Sequence, residues 1–505
     1  MKQVWTGIVI FIVMLMVGSS ANAQGEGLSW EACETKVGDE DVTAECTTLS
    51  IPENRQNLAS RQITLSVMRI PATDPTPAEP IFRFEGGPGK SNLEFNPPAT
   101  LLESHDIVQV GYRGIDSSVV LGCPEFEEAV KGRGNDLFSE ASQAGMAAAI
   151  ATCGQRLRQE GIDLDGYSIL EVADDIEDAR VALGYGRIHL LSESYGTRVA
   201  QVYGQRYPDS IARSAMIGVN PPGRFVWEPE IIDYQLGLYA TLCAQDVTCS
   251  QRTSNLAETM RQVNANMPKR WLLLPIDPGK VKVVAFAQLY HTSTAPMAFD
   301  AYLAAAEGDA SGLAFMSLAY GLQVPSLFVW GDTLAKGHNA DFDPGRDYGD
   351  LAAPDSIMGS PIAQLLWPFA ENWPMAPMPE EYRQVRPSAV ETLLINGNLD
   401  FSTPAENATD ELLPMLENGR EIILNGMGHT DDFWNTQPEA AEHLLRTYFD
   451  TGEVDGSLFE HQAVNFEVSF PSFPTLGKFM FFLPLFIIVL ASGLIVWRVR
   501  RPRKA

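Results

Sequence analysis

Residues 188–197 read Ile-His-Leu-Leu-Ser-Glu-Ser-Tyr-Gly-Thr, an apolar run that stops abruptly at Ser192-Glu193-Ser194-Tyr195-Gly196. A helical pattern over residues 197–207 follows at once. A serine set between a strand and a helix, with small residues two places away on either side, is a nucleophile elbow. The turn is so sharp that only small side chains fit at its flanks, and it lifts the hydroxyl above the sheet edge. The motif also makes demands on the rest of the chain. The strand needs parallel neighbours, and the serine needs a base and an acid later in the sequence. Ser192 stands where glycine is usual, so those partners decide the reading.

The surrounding pattern supplies the sheet. Residues 63–70 alternate apolar and polar, and residues 80–84, 107–110, 188–191 and 215–219 are short apolar runs suited to buried strands. Residues 138–160 and 169–183 have helical spacing, with Ala173, Ile176, Ala179, Val181 and Leu183 on one face. Strands alternating with helices predict a mostly parallel α/β sheet. Between residues 221 and 390 the rhythm changes. Helical patches at 231–243, 256–267 and 296–306 are not interleaved with regular strands, which predicts an inserted, mainly helical cap. The α/β pattern returns over residues 391–450, with strands at 392–395 and 422–424 and helices at 405–416 and 438–449. The core thus divides into residues 24–220 and 391–450 around the cap, and residues 451–478 read as a linker.

The partners of the serine sit where this arrangement requires them. Of the histidines beyond the cap, His443 lies inside a helical run and His461 in the linker. His429 follows a strand and the loop Gly426-Met427-Gly428, which puts it at the carboxyl edge of the sheet as the base. Asp400, in the loop Asn396-Gly397-Asn398-Leu399-Asp400 after the preceding strand, is the candidate acid. Asp410 falls in the following helix, and Asp431 and Asp432 are too near His429 in sequence to reach its far nitrogen. The order Ser194, Asp400, His429 is that of a strand-end triad. The oxyanion needs preorganised N–H donors. The residue after the nucleophile, Tyr195, supplies one, and the loop Gly86-Gly87-Pro88-Gly89 after an early strand is placed to supply another through Gly86 or Gly87.

With these motifs together, residues 30–450 resemble the α/β-hydrolase peptidases of the proline iminopeptidase and tripeptidyl aminopeptidase type, nearest the secreted tripeptidyl aminopeptidase-like branch. The matching segments are Glu85-Gly86-Gly87-Pro88-Gly89, residues 111–118, residues 174–185 leading into the elbow, residues 396–404 and Gly426-Met427-Gly428-His429. Glu85 departs from the histidine of the iminopeptidase type, Gly111 from an aspartate, and Asp116 from a small residue. The resemblance implies a serine peptidase that releases residues or short peptides from a free N-terminus, with peptides as substrates and no cofactor. Binding a substrate ammonium requires a carboxylate, and Glu85 and Glu193 are the candidates, with Arg113 or Arg198 as the partners that would otherwise neutralise them. A carboxylesterase or lipase could use the same triad, with Trp367, Phe369 and Trp373 of the cap lining an acyl site. A catalytically silent binding protein on the same scaffold would not need the triad intact.

The ends of the chain speak to location. Lys2, an apolar run over residues 4–17 and Ala21-Asn22-Ala23 form a signal peptide over residues 1–23. Residues 479–497 contain no charge, and 19 residues at ~1.5 Å each just cross a hydrocarbon core of ~30 Å. Arg498, Arg500, Arg501, Arg503 and Lys504 follow, so residues 479–497 are expected as a transmembrane helix and 498–505 as a cytoplasmic tail, tethering an exported body, in a bacterium periplasmic or extracellular. The net charge of −28 repels nucleic acid. Six cysteines fall by spacing into local pairs, Cys33 with Cys46, Cys123 with Cys153 and Cys243 with Cys249, and suggest disulfides, although six cysteines allow 15 connectivities. None has zinc-site spacing, and no metal is expected.

Overall fold

The computed structural model describes residues 28–132, 134, 136–468 and 471–500. The expected signal peptide and the tail residues 501–505 lie outside the described residues. The strands in chain order are β1 (Glu31–Val37), β2 (Glu40–Pro52), β3 (Gln62–Ile70), β4 (Ile81–Phe84), β5 (Ile107–Val110), β6 (Ile188–Glu193), β7 (Ile211–Ile217), β8 (Arg270–Trp271), β9 (Leu274–Pro275), β10 (Thr392–Gly397) and β11 (Gly419–Leu424). All but the hairpin β8–β9 join one sheet, ordered β1-β2-β3-β5-β4-β6-β7-β10-β11. From β5 to β11 the strands run parallel, and β1, β2 and β3 extend the sheet antiparallel.

Burial explains the division. β4, β5 and β6 are buried at every residue, as expected of parallel strands covered by helices on both faces. β3 alternates and keeps one polar face for much of its length. The order of strands reverses at β4, which has β5 on one side and β6 on the other. Loops leaving β4 and β6 therefore diverge and open a crevice at the carboxyl edge, where ligands bind in sheets of this kind.

The connection from β7 to β10 contains helices and the β8–β9 hairpin. Its core is shared with the earlier helices Pro124–Ala129 and Glu140–Gln159: Phe126, Met146 and Ile150 pack in one cluster with Leu236, Phe299 and Leu313. The helical layer over the sheet is thus built from two stretches of chain, not from the 221–390 insertion alone.

Three expectations need correction. Residues 31–52 form the β1–β2 hairpin, which no expected strand covered. The helix expected over 405–416 is broken into a short α turn, a wide π turn and a tight 3₁₀ turn. Pro414, which has no N–H to donate and crowds the carbonyl four residues back, accounts for the break. The linker is not free either, because Phe466 is buried and stacks on Phe299 at 6.0 Å. Residues Phe473–Arg500 form one helix that contains the expected span. Among the residues whose side chains are described, the apolar part of this helix extends over Phe473–Leu483, and no single helix there is long and apolar enough to cross a membrane. The disulfides join Cys33–Cys46, Cys123–Cys153 and Cys243–Cys249.

Candidate active site

β6 ends in Glu193, and Ser194 turns the chain into the helix Tyr195–Arg206 with φ 50° and ψ −120°. A positive φ is costly for a residue with a Cβ and is kept here by what surrounds it. The Ser194 N–H donates to the Ile217 carbonyl of β7 at 2.9 Å. A side chain at Gly196 would run into the Phe84 carbonyl, so glycine is obligatory on that flank. On the other flank Ser192 remains inside β6 and donates its hydroxyl to the Ala215 carbonyl at 3.2 Å. The atypical serine is accommodated by the neighbouring strand.

The Ser194 hydroxyl lies 2.9 Å from His429 Nε2, and His429 Nδ1 lies 2.8 Å from Asp400 Oδ2. Asp400 is fully buried. Its Oδ1 accepts the N–H groups of Ser402 and Thr403 at 2.7 and 2.8 Å, and its Oδ2 accepts the Thr403 hydroxyl at 2.7 Å. Burial alone would raise the Asp400 pKa, but His429 and these donors hold it below the ordinary value. Burial would likewise lower His429, and the Asp400 carboxylate outweighs it, so the imidazole sits above its ordinary value.

His429 is also held from the helical layer. Its N–H donates to the Tyr290 carbonyl at 2.6 Å, and the Tyr290 ring stands edge-on to the imidazole at 5.2 Å. Asp432 Oδ2 accepts the Thr292 N–H and hydroxyl, each at 2.9 Å, and the Gly428 N–H at 2.7 Å. Asp432 therefore bridges the loop before His429 to a strap at Tyr290-His291-Thr292.

The glycine loop after β4 lies against the nucleophile: a Cβ on Gly86 would sit 3.2 Å from Ser194 Cβ. The Gly86 N–H is already donated to Glu85 Oε1 at 2.8 Å. Behind the loop is a buried ion pair that no sequence signal indicated. Asp332 and Lys336 sit one turn apart on the helix Trp330–Asp341, 2.6 Å apart and fully buried. Asp332 Oδ2 accepts the Gly89 N–H at 3.1 Å, and the Val329 N–H donates to the Gly89 carbonyl at 2.9 Å. Lys336 Nζ donates to the Arg113 carbonyl at 3.2 Å and lies over the rings of Tyr112 and Tyr195, 5.0 and 6.0 Å from their centroids. Desolvation raises the Asp332 pKa, against the pull of Lys336.

Glu85 and Glu193 converge on one guanidinium, that of Arg83, each 2.8 Å from Nη2. Arg113 and Arg198 are not their partners: Arg113 pairs with Asp175, and Arg198 donates to the Tyr382 carbonyl. Glu193 is 4% exposed and also accepts the Trp434 indole N–H at 2.6 Å. The Glu85 side chain keeps 25% of its exposure. Nearby, Asp116 accepts the N–H groups of Tyr112 and Asn92, each at 2.9 Å, and the Ser91 hydroxyl at 2.7 Å. A side chain at Gly111 would collide with Asp116 Cβ and with the Ser66 and Asp116 carbonyls, so glycine is required there. Trp367, Phe369 and Trp373 are buried in packed core at 3%, 2% and 1% exposure and do not line an open acyl site.

Residues 84–333 match the α/β hydrolase fold family, and residues 363–458 match the family of TAP-like proteins. The chain is an α/β-hydrolase of the TAP-like kind. It is 27% identical over 327 residues to a tripeptidyl aminopeptidase of Streptomyces lividans, an alignment covering 58% of this chain and 59% of that protein. It is 23% identical over 245 residues to the serine protease Hip1 of Mycobacterium bovis, covering 45% and 46%. The chain thus matches less than two thirds of the length of these relatives. A serine hydrolase of known structure from Cycloclasticus zankles aligns over 81% of this chain and 100% of its own, with 14% identity and a TM-score of 0.35. In this α/β-hydrolase the two family matches fall on either side of residues 334–362.

Proposed function

We propose that this α/β-hydrolase is an exported, membrane-tethered serine aminopeptidase that releases single residues or short peptides from free N-termini through an ester on Ser194. The observation that carries the reading is the unbroken Ser194–His429–Asp400 chain at 2.9 and 2.8 Å. His429 Nε2 takes the hydroxyl proton as Ser194 attacks the peptide carbonyl, and Asp400 steadies the imidazolium that forms. The N–H groups of Tyr195 and Gly87 receive the oxyanion, since that of Gly86 is bound to Glu85. His429 then gives its proton to the departing amine, and water repeats the cycle to release the acyl product. The similarity to a tripeptidyl aminopeptidase supports a peptide substrate, and the three disulfides suit an oxidising compartment.

For the substrate ammonium, two carboxyl groups converge on one guanidinium beside the nucleophile, and burial pushes the Glu193 carboxyl up, which leaves Glu85 as the acceptor with room for a second cation. Glu85, the more exposed of the pair, is the proposed contact, with Glu193 holding Arg83 in place. Glu85→Gln should raise KM for free-amine peptides about tenfold, the scale of one charged hydrogen bond, and leave N-blocked esters unaffected. Equal effects on both substrates would remove Glu85 from this role. The wider test is a panel of aminoacyl-, dipeptidyl- and tripeptidyl-fluorogenic amides beside p-nitrophenyl esters, with wild type and Ser194→Ala. Amide cleavage lost in Ser194→Ala is expected, and ester cleavage without any amide cleavage would replace the peptidase by an esterase.

A further inference from the structure

The β8–β9 hairpin belongs to neither the sheet nor the site. Its turn is Leu272-Leu273, where hairpins of this length ordinarily use Asn-Gly or Gly. Leu272 adopts φ 52°, a left-handed conformation that a leucine takes only at a cost. Leu272 is 49% and Leu273 80% exposed, so neither is repaid by burial within the protein. Lys269 and Arg270 on the approach are exposed, and neither forms an ion pair among the described residues. In a chain of net charge −28 this is a local cationic and apolar point.

Its position gives it a partner. The residue before the turn, Trp271, places its ring 5.6 Å from Phe481 and 6.3 Å from Phe482. Those phenylalanines lie where the uncharged segment of the C-terminal helix begins, and Phe479, Phe482 and Leu483 on the same turns are more than half exposed. The relation between helix and hairpin is fixed by close packing. The Ser311 hydroxyl donates to the Pro474 carbonyl at 3.1 Å, Lys478 pairs with Asp309 at 2.6 Å, and a side chain at Gly477 would run into the Ser311 carbonyl. Wherever the helix enters a bilayer, the hairpin tip arrives at the same level.

We infer that the Lys269–Pro275 hairpin is a second membrane contact, with Leu272 and Leu273 in the acyl boundary, Trp271 at the headgroup level and Lys269 and Arg270 against anionic lipid phosphates. This rests on the proposed membrane tether. Basic residues flanking apolar and aromatic ones are what an interfacial element needs. A single tethering helix leaves the body free to swivel, and a contact at its side removes that freedom and fixes which face of the cap meets the membrane.

The test uses the full chain in phosphatidylethanolamine–phosphatidylglycerol vesicles. The six native cysteines are all in disulfides, so one added cysteine accepts an environment-sensitive fluorophore. Probes at Leu273→Cys, Leu483→Cys and the fully exposed Leu58→Cys, in the loop between β2 and β3, are compared. The expected result is blue-shifted emission, quenched by nitroxide lipids, at positions 273 and 483, with position 58 water-like. A lipid signal at 483 with a water-like 273 overturns the hairpin contact and leaves the tether standing. Water-like signals at both overturn the contact and the tether together, and a lipid signal at 273 alone overturns the shared level of hairpin and helix from which the contact is inferred. Replacing phosphatidylglycerol with phosphatidylcholine should weaken the shift at 273, and an unchanged shift would refute the role of Lys269 and Arg270.

Discussion

The strand ends that carry Ser194, Asp400 and His429 and the helical layer that covers them are held in opposite ways. At the strand ends, position follows from local rules: parallel β6, β10 and β11 stop at one edge, and each next loop presents one functional side chain there. In the helical layer, position follows from a few buried polar contacts between distant segments. Asp332, paired with Lys336, grips the glycine loop about 240 residues earlier in the chain, and Asp432 binds the strap at Thr292. The sheet places the reacting groups, and the helical layer holds the loops beside them in register.

That contrast can be broken or sharpened by substitution. The largest effect is expected on the sheet side. Asp400→Asn should lower kcat by about 10⁴, as loss of the orienting carboxylate does in comparable triads. Asp400 is also what raises the His429 pKa, so the wild-type acid limb of kcat/KM should lie above ~6.5 and move to lower pH in the variant. An unmoved limb would separate His429 from Asp400. Next, Lys336→Met leaves Asp332 buried without its partner and should cost about 3–5 kcal/mol, read as a fall in Tm. Burial already holds the folded-state pKa of Asp332 above the ordinary ~4, and losing Lys336 raises it further, so this loss should grow as pH rises through the raised folded-state value and vanish below it, where Asp332 is neutral in both proteins. Asp332→Asn added to Lys336→Met should recover part of it. If Lys336→Met unfolds as wild type does, the grip on the glycine loop lies elsewhere. The smallest effect is expected for Asp432→Ala, which strands three donors for about 1–3 kcal/mol. Because those donors border the His429 loop, kcat should fall more than KM rises. A change in Tm alone would make Asp432 a packing residue.

The same contrast explains how much of the fold and the site is legible in the sequence. β4, β5, β6 and β10 are short apolar runs, and the loops after β6, β10 and β11 carry Ser194, Asp400 and His429 at the expected places, because strand period and turn chemistry act over a few residues. The β1–β2 hairpin is not legible in the sequence because strand β1 is a mixed run, Glu-Ala-Cys-Glu-Thr-Lys-Val, without clean apolar alternation. Arg83, not Arg113 or Arg198, partners Glu85 and Glu193, and the sequence does not show it because Arg83 lies inside the apolar run of β4, where a buried guanidinium has no periodic signature. Lys336 has none either. It reads as an ordinary helical lysine until the helix Trp330–Asp341 is seen packed with all but one of its residues buried. Ser192 marks the boundary between the two cases, since its place was evident and its tolerance rests on the Ala215 carbonyl of the next strand.

The proposed chemistry turns on Ser194, activated by His429 and Asp400, forming the ester through which peptides are cleaved. Treating the full chain with a fluorophosphonate and mapping the adduct by peptide mass tests it most directly. One adduct per chain is expected, on Ser194, with amide cleavage lost in proportion to labelling. Cleavage that persists in fully labelled protein, or an adduct on another residue with Ser194 untouched, would contradict it.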